Sequence, residues 1–445
     1  MDFSLLLLAF AGTGLYAWRL FRDNDRVPTF CYFWAASILV LVTGAVYNVL
    51  TGTQASYVNG RGERLWVGWP TYRYTMLLAA VGVICVALGN HLARRHGWRL
   101  RLPEFIDARC PDHKSLTRWA AIALLAGLVP LLATGVLNPA RLIAGLLASR
   151  AARGAITLLA SEGGYFSFFN VFADLVPFGV TAAAILFWSG RRPKLLLLGV
   201  AFFAFVAFAS GTRSVTAVLV APFVLIPRYY GNRKLFRRLA AVGAVAVFVI
   251  AAVQIVYRTV GYQRASLTRA VSRVNPLMVF DSRQLNWTAQ AIKDYGPRFH
   301  YLHGQSYIAV AVNPVPRVFW HTKPGGYAAV NSANLGFGYG STTTSGWLGE
   351  AYANFGWAGI PIVGLIAGVL MGILDVFVMR SGPLALAVLL PLQLRWIIWV
   401  RGDSVFSLDP WLFGFIILAG LLFAVGPARE ARWGRSAAGA TARGP

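Results

Sequence analysis

Carboxylates are scarce in this chain, 16 against 41 lysines and arginines, so the places they occupy carry information. Glu350 and Asp174 both fall within apolar stretches, where an ionisable side chain is costly and defaults to a functional role. Glu350, just ahead of Tyr352, is the type of group that removes a proton from a sugar hydroxyl. The same carboxylate would serve equally as an orienting salt bridge to Arg213, Arg395 or Arg401, and Asp403 and Asp174 are alternates for the base. Basic residues gather near the same places. Arg213 sits in the turn Ser210-Gly211-Thr212-Arg213-Ser214. Arg317 and Lys323 lie in the stretch from Pro314 to Pro324, which also holds His321. Arg401 closes an apolar run, with Arg395 one or two turns deeper. Guanidinium groups stay protonated and present a planar fork of donors that suits phosphate oxygens at a low-dielectric boundary. A ring of such residues would hold a lipid-linked diphosphate and stabilise it as it leaves, without a metal ion. Any one of these arginines alone would be explained by snorkelling to headgroups. The set argues for a site.

Other constellations are weaker. His300, His303 and His321 are not completed by a cysteine or carboxylate at ligand spacing, so no metal site is expected. Ser345 has no spaced histidine on a later span to activate it. The glycines from Gly336 to Gly340 do not stand between a strand and a helix, so they do not form a nucleotide loop. No cofactor is expected. Asp403, Asp174, His321 and Tyr352 are placed on the acceptor side or given structural roles.

Those residues must be positioned by membrane-spanning helices. The chain is 57% hydrophobic and only 13% charged, about half the charged share of a soluble domain. Apolar runs long enough to cross a hydrocarbon core recur throughout, and a segment with no water to bond to must be helical. About eleven spans are predicted, at 3–19, 29–50, 74–93, 119–136, 166–188, 195–210, 215–231, 239–257, 347–378, 383–400 and 408–426. The segment 347–378 is long for one crossing and is expected to include a re-entrant or tilted start. Basic clusters at 19–26, 94–101, 191–194, 233–238 and 429–435 place those loops in the cytoplasm, the N-terminus outside and the C-terminus inside.

The fold class is therefore an all-α polytopic membrane protein of the bacterial inner membrane, with 1–445 as one transmembrane domain and 427–445 as a basic cytoplasmic tail. Segments 51–73, 137–165 and 258–346 face outward. The last, about ninety residues, is long enough to be functional, and helices are expected at Arg264–Val271 and Leu285–Tyr295. The net charge of +25 follows from the positive loops and from contact with anionic lipid, not from nucleic acid. Cys31 and Cys85 lie in apolar runs and Cys110 in a basic loop, so no disulfide framework is implied. The N-terminus lacks a basic leader and is expected to be retained as the first span.

Several short stretches resemble the O-antigen polymerases, the Wzy-type enzymes that join lipid-linked oligosaccharide repeat units. They are Ser210 to Ser214, Tyr301 to Tyr307, Asn313 to Arg317 with Lys323-Pro324, Ser345-Gly346, Glu350 to Tyr352, Asn354 to Gly359, and Arg401-Gly402. The resemblance covers about 200–400. It implies a glycosyltransferase C-like fold and a metal-independent reaction between two undecaprenyl-diphosphate-linked glycans. A sugar hydroxyl of one would attack the anomeric carbon of the other at the periplasmic face, releasing undecaprenyl diphosphate. It also implies Arg213, Arg317 and Arg401 on the donor diphosphate with Lys323 and Arg395 assisting, Glu350 on the acceptor, and a chain-length regulator as partner. An O-antigen ligase would use the same donor. A lipid-linked oligosaccharide flippase or other transporter would want a charged central cavity and matched halves. A metal-dependent sugar transferase would want acidic pairs in the first outer loop, where Glu63 stands alone.

Overall fold

The computed structural model describes residues 2–96, 113–129, 175–191, 193–209, 213–263, 284–313, 315, 319–337, 343, 345–405 and 407–408. The chain begins with α1 (Asp2–Asp23). A second rod follows, made of α2 (Thr29–Ser37), a π-helical turn (Ile38–Val42) and α3 (Thr43–Thr51). A small antiparallel hairpin, β1 (Ser56–Val58) and β2 (Arg64–Trp66), pairs Tyr57 with Leu65. Then come α4 (Trp69–Arg95), α5 (His113–Ala126), α6 (Val176–Trp188), α7 (Lys194–Ala209), α8 (Arg213–Tyr229) and α9 (Arg233–Gln263). Three short helices occupy the long loop: α10 (Gln284–Asp294), α11 (Gln305–Val312) and α12 (Tyr327–Asn334). The last described helices are α13 (Gly346–Phe355), α14 (Gly359–Arg380) and α15 (Pro383–Arg401).

This is an all-α membrane protein. Among the described residues four stretches are long and apolar enough to cross a bilayer: Asp2–Asp23, Thr29–Thr51, Trp69–Arg95 and Gly346–Met379. Shorter apolar helices accompany them at Leu116–Ala126, Val176–Trp188, Lys194–Val206 and Thr216–Tyr229. Four full spans do not establish the expected eleven. The expected span at 408–426 beyond its first residue, parts of those at 119–136 and 166–188, the helix at Arg264–Val271, the outward segment 137–165 and the tail 427–445 lie outside the described residues. The helix expected at Leu285–Tyr295 is α10.

The overlong segment at 347–378 resolves into two helices. Gly356 has φ 65° and ψ −153°, a conformation open to glycine, and a short 3-10 turn (Gly356–Ala358) separates α13 from α14. α14 alone supplies 22 residues, about 33 Å of helix, which is enough for the hydrocarbon core. α13 is left over as a separate helix carrying Glu350.

α4 and α14 pack backbone against backbone. Gly364, Gly368 and Gly372 recur every four residues and so share one face of α14, opposite Gly82 and Gly89 of α4. A methyl group on Gly368 would overlap the Val86 carbonyl, and one on Gly89 would overlap the Leu365 carbonyl. In lipid, where apolar residues gain little by leaving the solvent, such close approach supplies the attraction. Gly368→Leu is expected to cost about 1–3 kcal/mol by overpacking, read as a lower melting temperature of the purified protein in detergent.

At the far end of α14, Asp375 is buried and joins four helices. It accepts hydrogen bonds from the Thr29 amide and hydroxyl (2.6 and 2.5 Å), Asn90 (3.4 Å) and Gln393 (3.4 Å). It also pairs with Arg94 at 3.1 Å. Arg94 reaches on to Asn24, and the Tyr16 hydroxyl donates to Asn90. Nearby Arg26 bonds the carbonyls of Val378 and Ser381.

Candidate functional site

The opposite end of the bundle is built around α13. Three indoles form its floor: Trp347 stacks on Trp399 at 5.2 Å, and Trp396 meets Trp399 edge-on at 5.0 Å. Gly346, at φ 64°, lies so close to the Val400 carbonyl that no side chain fits there. The start of α13 is thereby seated on the end of α15.

One turn further along, Glu350 is completely buried. Its Oε1 accepts from the Ser306 hydroxyl at 2.7 Å, and its Oε2 accepts from the Ser404 amide at 2.7 Å and the Ser404 hydroxyl at 2.8 Å. Asn354, four residues on and hence on the same helical face, donates to the Ser306 hydroxyl at 2.8 Å and accepts from the Gly304 amide at 2.9 Å. The Ser404 hydroxyl in turn accepts from the Trp399 indole at 3.0 Å. Glu350 thus ties together three pieces of chain distant in sequence: the loop at 304–306, α13, and the turn after α15. Among the described residues its bonding partners are serines and a backbone amide. The alternative role, a salt bridge to Arg395 or Arg401, is not among them.

Asp403 is buried beside this network and accepts from the Ala328 amide at 3.0 Å. It supplies from a distance the cap that Gly326, preceding α12, has no side chain to provide. Asp403→Ala is expected to cost about 0.5–2 kcal/mol, the usual loss of a cap, while Asp403→Asn keeps most of it. Limited proteolysis would read this as faster cleavage within 304–345 in the alanine variant.

The loop helices bring a polar interior with them. Tyr327 bonds Ser345 at 2.6 Å, and Thr288 donates to the Ser345 carbonyl at 2.9 Å. Asn331 bridges Gln290 and Thr343, and Tyr57 of β1 donates to Asp294 at 3.0 Å. Burial pushes the Tyr327 hydroxyl well above its ordinary value, and that of Tyr307 likewise with Glu350 adding to the effect, so both stay neutral at physiological pH. The Tyr307 hydroxyl is buried with no bonding partner among the described residues.

The remaining expected residues divide as follows. Arg401 is the last residue of α15, where a cation also suits the helix dipole. Arg395, buried, lies six residues and so about 9 Å earlier on the same helix. Lys323 is buried, its ammonium donating to the carbonyls of Asn313 (2.8 Å) and Val315 (2.7 Å). His321 is exposed, and Tyr352 stands edge-on to Tyr301 at 6.3 Å, away from the Glu350 oxygens. Arg213 opens α8, but its side chain lies outside the described residues, as do Arg317 and Asp174.

Sequence reasoning did not assign Ser306, Ser404 or Asn354. Asn354 was the findable one, because its spacing of four from Glu350 places both on one helical face. Nothing in the local sequence links either serine to Glu350.

Residues 154–426, more than half of the chain and including every residue of this network, match the family model of O-antigen polysaccharide polymerase Wzy. The chain belongs to that family. No curated protein matches it, and no solved structure matches it. For a Wzy family member, the membrane setting, the helical fold and a role in O-antigen polysaccharide biosynthesis are those of the family. The Glu350 network lies where the long loop meets the spans.

Proposed function

We propose that the chain polymerises oligosaccharide repeat units carried on undecaprenyl diphosphate at the periplasmic face of the inner membrane. A hydroxyl on the terminal sugar of one lipid-linked unit attacks the anomeric carbon of the other chain. The bond from that carbon to the diphosphate oxygen breaks, undecaprenyl diphosphate leaves with the electron pair, and the hydroxyl proton passes to solvent or to a nearby base. Both substrates are tethered to the bilayer, so their confinement supplies much of the rate. Arg213, Arg317 and Arg401 hold the donor diphosphate and Lys323 and Arg395 assist. Their positive charge neutralises the leaving group with no metal ion. A chain-length regulator is the natural partner, and the termini take opposite sides, N-terminus periplasmic and C-terminus cytoplasmic.

The observation that carries this reading is Glu350, buried and bonded at both oxygens where the loop, α13 and the turn after Arg401 converge. Three donors already occupy the carboxylate, which favours a positioning role for it over removal of the acceptor proton. It holds the 401–404 turn, and with it Arg401, against the loop.

The test is deletion of the gene, with the surface polysaccharide resolved by gel electrophoresis and the strain complemented with wild type, Arg213→Ala, Arg317→Ala and Glu350→Ala. Single repeat units on the lipid acceptor after deletion, with a ladder restored only by the wild type, support the proposal. Loss of all surface glycan with long polymer stranded on the undecaprenyl carrier would make it a ligase. An unchanged ladder would return the chain to transport.

A further inference from the structure

The break at Gly356 fixes a level in the bilayer. Because α14 covers the hydrocarbon thickness by itself, the residues at its start stand at one edge of the hydrocarbon. Phe355 and Trp357 flank the break and are 45% and 66% exposed, as aromatic residues at a membrane boundary are.

The loop helix α11 is fastened to that same level. The amides of Leu302 and His303 donate to the carbonyls of Ala353 and Asn354, the last turn of α13, at 2.9 and 3.1 Å. The Tyr307 ring then stacks on Phe355, 6.1 Å apart and 12° from parallel. One side of α11 is buried against protein, with Ser306 bonded to Glu350 and Ala309 packed inward. The other side is open, with Gln305, Ile308 and Ala311 exposed on it. Ile308 is 54% exposed, and beyond the helix Phe319 and Trp320 are 77% and 41% exposed.

An aqueous loop with these side chains uncovered would be an aggregation liability. Here the open face adjoins the aromatic residues that begin α14, whose own outer side exposes Ile362 and Ile366 to lipid. Exposed apolar side chains on a short helix fastened at the start of a lipid-facing span are placed to enter the headgroup–acyl boundary.

We propose that α11 and the turn at Phe319–Trp320 are immersed in the headgroup–acyl boundary of the leaflet at the Gly346 end of the α13–α14 segment, and that bulk lipid covers them. The loop is then a membrane-seated cover over the Glu350 network. Lipid holds Ile308 on one side of α11, and Ser306 two residues earlier holds the carboxylate on the other. This does not depend on the reaction the protein performs.

The test uses the full chain in phospholipid nanodiscs, with Cys31, Cys85 and Cys110 replaced by alanine and a bimane fluorophore placed at Ile308→Cys or Phe319→Cys. Glu63→Cys, on the exposed hairpin, serves as the water-facing reference. Nitroxide-bearing lipids are expected to quench both test positions strongly and the reference weakly, and iodide in solution should do the reverse. Iodide quenching equal to the reference, with no effect of the nitroxide lipid, overturns the proposal. Protection from both quenchers also overturns it, because protein or a bound substrate tail would then cover the face. If the cysteine-free chain does not assemble, a photo-crosslinking benzophenone side chain at Ile308 in the otherwise native protein gives the same decision. Phospholipid adducts support immersion, and their absence overturns it. Neither measurement requires turnover, so the outcome is separate from that of the polymerase assay.

Discussion

Glu350→Ala abolishes the polysaccharide ladder, whereas Glu350→Gln keeps a weakened one. Alanine removes both acceptors and leaves the Ser306 and Ser404 hydroxyl protons and the Ser404 amide without the acceptor they had. Each orphaned donor costs about 1–3 kcal/mol, enough to release the 402–404 turn from the loop. Glutamine fills the same space, and its amide oxygen still accepts from the Ser404 amide. What it forfeits is the charge and one acceptor, about 1.5–3 kcal/mol for a hydrogen bond to a charged group. That corresponds to a loss of roughly ten- to a hundred-fold. Polymer length and amount by gel, measured alongside the amount of folded protein in the membrane, separate the two variants. If glutamine is as inactive as alanine while equally well folded, Glu350 removes the acceptor proton and the positioning role fails.

Asp375→Ala produces the largest loss of stability, about 3–5 kcal/mol, the usual result of removing one partner from a buried ion pair. The Arg94 guanidinium would keep its bond to Asn24 but lose its counter-charge, and the Thr29 amide and hydroxyl would lose their acceptor. α2, α4, α14 and α15 all meet at this carboxylate, so the expected readout is a marked fall in the melting temperature of the detergent-solubilised protein. The paired change Arg94→Met with Asp375→Leu should recover much of the loss, because an apolar pair of similar size removes both charges together. A double variant no more stable than Asp375→Ala would show that the hydrogen bonds from Thr29, Asn90 and Gln393 matter more than the ion pair.

The two carboxylates show how unevenly the sequence speaks. Glu350 stands out in an apolar stretch and beside residues shared with a known family, so it was legible as a site residue. Asp375 lies equally deep in an apolar run, yet its partners Thr29, Asn90, Arg94 and Gln393 come from three other helices and no spacing rule connects them. The glycines at 364, 368 and 372 were legible in principle, since a repeat of four marks one face of a helix. Which helix they meet is visible only once α4 lies against them.

Lys323 and Asp403 make a similar point about charge. Both were placed near a diphosphate or acceptor because a charged residue at a membrane boundary needs a partner. The structure gives each a backbone partner, carbonyls for the ammonium and a helix amide for the carboxylate. A charge in the sequence announces that something must neutralise it without saying whether that will be ligand, side chain or main chain.

By itself the sequence determined the solvent, the helical class and the family. Those follow from composition, from the length of apolar runs and from short local motifs, all of which act over a few turns of chain. Only the tertiary structure decided what Glu350 is bonded to, where the span at 347–378 breaks, and which face of the loop lies open. Ser306, Glu350 and Ser404 are 44 and 54 residues apart in the chain and within 3 Å in space. Hydrogen bonds are local in space and indifferent to separation along the chain, so no pattern along the sequence could have written them down.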